Sequence, residues 1–89
     1  MGQPYPHEIL VIEDDEFLNE LLCQYLNGQD FNVHGELSVN AALAAMEKNR
    51  VVDLILLDYN LGDGTGLDFL VSLKQRCCTS IPPVIMIST

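Results

Sequence analysis

Residues 53–70 read DLILLDYNLGDGTGLDFL. Leu54-Ile55-Leu56-Leu57 is an unbroken apolar run that stops at Asp58. Continuous apolarity over so short a stretch predicts a strand covered on both faces, as at the centre of a parallel sheet. The glycine- and aspartate-rich segment Tyr59-Asn60-Leu61-Gly62-Asp63-Gly64 reads as a loop. Thr65, with Asp68 three residues on, is a capping-box-like start for a helix running to about Gln75.

The same alternation extends in both directions. Ile9-Leu10-Val11-Ile12 is a second short apolar run, and it ends in Glu13-Asp14-Asp15-Glu16. Phe17, Leu18, Leu21, Leu22, Tyr25 and Leu26 then recur at three- and four-residue steps, predicting one apolar helical face with core packing as its default role. Gly28 is placed to end that helix. Phe31-Asn32-Val33-His34 alternates and reads as a peripheral strand, and Ser38 is the expected N-cap of an alanine-rich helix to about Asn49. After Pro82-Pro83, Val84-Ile85-Met86-Ile87 reads as a fourth buried strand, with Met46 and Met86 as core fillers. The pattern β-α-β-α-β-α-β, without a long linker or repeat, predicts an α/β fold: a parallel sheet with helices on both faces and right-handed crossovers. Residues 1–7 read as a flexible lead and 8–89 as one domain.

Composition narrows the function. The 89 residues carry 13 acidic and 4 basic side chains, a net charge of −9. That balance argues against binding nucleic acid or an anionic membrane, since phosphate contacts need Lys and Arg. No apolar run approaches the roughly 20 residues that cross a bilayer, and no signal peptide is visible. Cys23, Cys77 and Cys78 are an odd count without regular spacing, consistent with ordinary thiols in a reducing cytosol and a cytoplasmic location. His7 and His34 read as surface or strand residues, and Tyr59 as exposed.

Two apolar strands end in acids. Ligands of open α/β sheets collect at the carboxyl ends of the strands. If the first and third strands are adjacent, Glu13, Asp14 and Asp58 converge, and three like charges at close range repel. A divalent cation relieves that conflict, and oxygen-only ligands favour Mg2+. A phosphate-bearing substrate would complete its shell, with Asp58 as nucleophile. Acids after a strand also simply cap the next helix, so either cluster alone decides little. Both clusters following apolar runs on consecutive central-type strands is what favours chemistry.

The strings ILVIEDDE, DLILLDYNLGDGTGLDFL and PPVIMIST resemble the receiver domain of two-component response regulators, over about residues 8–89. The resemblance implies a flavodoxin-like (βα)5 fold of strand order 2-1-3-4-5. It also implies a phosphoacceptor module that takes a phosphoryl group from a sensor histidine kinase or phosphotransfer protein, rather than an enzyme. It makes Asp58 the phosphoacceptor and Asp14 a direct Mg2+ ligand, with Glu13 acting through water. Asn60 would bind the metal by its backbone carbonyl, Ser88 would contact the phosphoryl group as a switch, and Gly66 matches the glycine before the third helix. Gly62 stands where the family often has proline, and Thr65 where it often has aspartate; a turn tolerates the first and a helix cap the second.

The family continues with a fourth helix, a fifth strand and a fifth helix, and the fifth strand brings a lysine that pairs with the phosphoryl group. Lys48, Arg50, Lys74 and Arg76 fall at helix ends and are no substitute. On this reading the fourth strand becomes a sheet edge, and a dimer or swapped oligomer through it is expected. A receiver-like interaction module that is not phosphorylated is the alternative. A metal-dependent phosphohydrolase is weakened by Asn60, where a second acid would be needed.

Overall fold

The computed structural model describes residues 7–48, 51–77 and 81–87. The strands are β1 (Glu8–Ile12), β2 (Asn32–Glu36), β3 (Leu54–Asp58), a small hairpin of β4 (Asn60–Leu61) and β5 (Gly64–Thr65), and β6 (Val84–Ile87). The helices are α1 (Glu16–Asn27), α2 (Val39–Lys48) and α3 (Gly66–Cys77). The main sheet runs β2-β1-β3-β6, with every neighbour parallel. This is the expected α/β flavodoxin-like arrangement, with the two acid-tipped strands side by side at its centre.

Alternation along the central strands divides the core. Leu10, Ile12, Ile55 and Leu57 are buried on one face with Val39, Leu43 and Met46 of α2 and Phe69 and Leu73 of α3. Successive strand residues point to opposite faces, so Ile9, Val11, Leu54 and Leu56 meet the other face, where α1 lies against β1 and β2.

The helix starts follow the chemistry of their first residues. Thr65 and Asp68 make a reciprocal capping box: Thr65 N donates to Asp68 Oδ2 at 2.9 Å, and Asp68 N to Thr65 Oγ1 at 3.1 Å. Ser38 Oγ accepts from Ala41 N, and Asp15 caps α1 by accepting from Leu18 N. Gly28 does sit at the end of α1, but in right-handed conformation; the left-handed residue is Asp30 (φ 67°), two positions later. An aspartate tolerates that conformation because its short side chain can hydrogen-bond locally.

Two expectations need correction. Phe17, Leu21 and Tyr25 are exposed, so the apolar face of α1 packs by half only. The inward arc is Leu18, Asn19, Leu22, Cys23 and Leu26, because the cap at Asp15 and the burial of Asn19 fix the helix rotation. Likewise β6 is not a buried strand, and Met86 is not a core filler: Ile85 is 51% and Met86 42% exposed. β6 is the outermost strand among the described residues, and its two middle side chains, Ile85 and Met86, which point to opposite faces of the sheet, both meet solvent. Met46, by contrast, is in the core. The 1–7 lead apart from His7, together with Arg50, Cys78 and Ser88, lies outside the described residues.

Candidate metal and phosphoryl site

β1 and β3 pair through Ile12 opposite Leu57, so their next residues, Glu13 and Asp58, leave the sheet side by side. Glu13, Asp14 and Asp58 each bring a carboxylate oxygen within 4.8 Å of the others. Glu13 and Asp58 are both 2% exposed, whereas Asp14 faces solvent. The three predicted acids therefore converge.

Their electrostatics are unresolved within the protein. Glu13 Oε2 accepts from Asp15 N at 3.1 Å, but Glu13 Oε1 and Asp58 Oδ1 are buried with no hydrogen-bond partner among the described residues. Burial pushes the Glu13 carboxyl up from 4.5 to about 7; the Asp15 N–H opposes this, and the Asp58 charge beside it adds to the rise. Buried carboxylate oxygens without donors are costly. Two of them aimed into one acidic cluster are what an oxygen-ligated cation needs, and the all-oxygen donor set suits a hard ion such as Mg2+.

The loop beyond Asp58 is braced on three sides. Tyr59 N donates to Ile87 O, and Gly66 N donates to Tyr59 O at 2.6 Å. A Cβ on Gly66 would sit 2.8 Å from Asp58 O and 3.1 Å from both Leu57 Cγ and Met86 Sδ, so this position has room only for glycine. Asn60 begins the β4–β5 hairpin, pairing with Thr65. Asp63 at the hairpin turn accepts from Val39 N at 2.8 Å and Asn40 N at 3.0 Å, tying the loop to the start of α2. Those donors hold its carboxyl below the usual range. Tyr59 is half-exposed as expected, and Ser88 lies outside the described residues.

Sequence reasoning missed Asp63 and Asn19. Asp63 meets its partners 24 and 23 residues away, which no local pattern reveals. Asn19 is buried, and its Nδ2 donates to Glu13 O at 3.0 Å and to Glu36 O at 2.9 Å. The available signal was a polar residue on the apolar arc between Leu18 and Leu22. Of the four basic residues, Lys48, Lys74 and Arg76 do lie in last turns of helices, with Arg76 paired to Glu47.

The family model of the response regulator receiver domain matches residues 9–89. The TorCAD operon transcriptional regulatory protein TorR of Escherichia coli is 36% identical over 76 residues, covering 85% of this chain and 33% of TorR. The chain thus spans about a third of the length of the curated relatives it matches. A response regulator receiver domain of Methylobacillus flagellatus superposes with a TM-score of 0.84 at 24% identity, over 93% of this chain and 70% of that one. Response regulator TrrA of Thermotoga maritima, solved in complex with Mg2+ and BeF, superposes at 0.80 with 21% identity, over 92% and 69%.

Proposed function

The chain belongs to the response regulator receiver domain family, and from that premise we propose that Asp58 accepts the phosphoryl group in a pocket built for a divalent cation. The observation that carries this is the pair of buried oxygens, Glu13 Oε1 and Asp58 Oδ1, without a hydrogen-bond partner among the described residues and set in one cluster with Asp14. Glu13, Asp14, Asp58 and the backbone carbonyl of Asn60 would hold Mg2+, which when bound neutralises charge on the acids and on the phosphoryl group. An Asp58 carboxylate oxygen attacks phosphorus and forms an acyl phosphate, while the bond from phosphorus to the donor breaks and the electron pair leaves with the donor. Burial at the sheet end limits water around that acyl phosphate. Ser88 follows Ile87, the strand partner of Asp58, in sequence and is assigned the phosphoryl contact by family resemblance.

Receiver domains in general interact with histidine kinases or phosphotransfer proteins, and such a protein is the proposed donor. The outer edge of β6, unpaired among the described residues and with Ile85 exposed, is assigned to self-association; sedimentation showing a monomer at every micromolar concentration would refute it. The test of the main proposal is incubation with acetyl phosphate and Mg2+. An acid-labile phosphate should form, and it should vanish with EDTA and with Asp58→Asn. Undiminished labelling of Asp58→Asn refutes the assignment. A receiver-like module that binds no cation leaves the two buried oxygens unexplained.

A further inference from the structure

We propose that Asn19 is a positioning residue for the cation pocket: its amide clamps the backbone at Glu13 to the end of β2 and thereby fixes where the Glu13 carboxyl enters the acid cluster. This rests on reading Glu13, Asp14 and Asp58 as a cation site.

A primary amide has two N–H donors and one carbonyl acceptor. Asn19, 6% exposed, commits them all. Both donors go to main-chain carbonyls, Glu13 O at 3.0 Å and Glu36 O at 2.9 Å, and Oδ1 accepts from Cys23 Sγ at 3.4 Å. Glu36 O also accepts from Glu13 N at 3.1 Å. Both backbone polar groups of Glu13 therefore end in one knot that joins β1, α1 and β2. The amide cannot be turned over, because Oδ1 would then face two carbonyl oxygens.

β2 is shaped for this knot. A Cβ on Gly35 would collide with Asn19 Oδ1 and stand 2.9 Å from Cys23 Sγ. Glycine weakens a strand interior, and a close approach is a common reason for one. With the main chain held by Asn19 and Oε2 held by Asp15 N, Glu13 Oε1 is the atom left over for the pocket. Ordering ligand atoms in advance of the ion is how residues behind a metal site raise its affinity.

A buried amide that served folding alone would lower stability and leave cation affinity intact. The two are separated by measuring Tm and the Mg2+ Kd, by calorimetry, on the same 89-residue variants. Asn19→Ala removes the clamp. Gly35→Ala displaces it without deleting a polar group. Leu73→Ala, a core truncation on α3, serves as the control for stability loss. Asn19→Ala and Gly35→Ala should weaken Mg2+ binding by about 10-fold or more. In the metal-free state their backbone amide shifts should move at residues 13–15 and hold at 60–65. Leu73→Ala should lose Tm and keep its Kd, and Cys23→Ala, which spares both carbonyl grips, should also keep it. Asn19→Ala and Gly35→Ala binding Mg2+ as wild type despite a lowered Tm would overturn the proposal. Should Asn19→Ala not fold, Gly35→Ala and the milder Asn19→Ser decide. Absence of Mg2+ binding by the wild type would instead refute the cation site itself.

Discussion

Replacing Glu13 with glutamine should change how stability depends on pH in the metal-free protein. Burial, aided by Asp58, raises the Glu13 carboxyl from 4.5 to about 7. Its folded pKa thus lies above its unfolded one, and between those values the native state holds the extra proton. Stability contributed by the protonated form is present below about pH 4.5 and is lost as pH rises through about 7. Moving one carboxyl over that interval corresponds to at most about 3 kcal/mol, which is large against the modest stability of so short a chain. The assay is urea unfolding of wild type and Glu13→Gln at several values from about pH 5 to pH 8, in EDTA. Taking the difference between the two proteins cancels the shared titrating groups that lie away from Glu13. The lowered Asp63 carboxyl acts on the acid side of this window and is common to both. Wild type should lose ground to Glu13→Gln steadily as pH rises. Saturating Mg2+ should restore it, since a ligand at about 100 times its Kd contributes about 2.7 kcal/mol. Parallel pH curves for the two metal-free proteins would refute the reasoning.

Gly66→Ala forces a Cβ against Asp58 O and two side chains, and should cost about 1–3 kcal/mol in urea unfolding while slowing labelling by acetyl phosphate. Asp63→Asn should lower Tm at neutral pH and lose that deficit in acid, because the native carboxylate is favoured above the unfolded pKa and neutralised as pH falls through its lowered folded one. Phe17→Ser on the exposed side of α1 should shift stability by no more than about 0.5 kcal/mol. Phe69→Ala, at the centre of the core, should cost about 3–5 kcal/mol. Equal losses at Phe17 and Phe69 would show the rotation of α1 to be wrong.

The strands and the acids were legible because both are written locally. An apolar run such as Leu54–Leu57 announces burial by itself, and an acid at its end needs only the sheet's geometry to become a site. The rotation of α1 was not legible. Its sequence has one apolar rhythm wide enough for two arcs, and the choice between them was made by Asn19 and the Asp15 cap rather than by hydrophobicity. Burial of Met86 was misread because a run of four apolar residues suits a central strand and an edge strand alike. Asp63 was legible only as a turn residue, since its meaning depends on where α2 begins, 24 residues earlier in the chain.

The pairing of β1 with both β2 and β3 also governs how the chain comes to its native state. Ile9 meets Val33 on one side and Leu54 on the other, so neither half of the central ladder is a local contact. Loop closure must precede these contacts, which makes such topologies slow to fold. During synthesis the edge of β1 that pairs with β3 waits unpaired until β3 has emerged. The acid pocket exists only after that second docking, because Glu13 arrives on one strand and Asp58 on the other. Cation capture is therefore a timer for late assembly, and Mg2+ added at intervals during refolding would date the docking of β3.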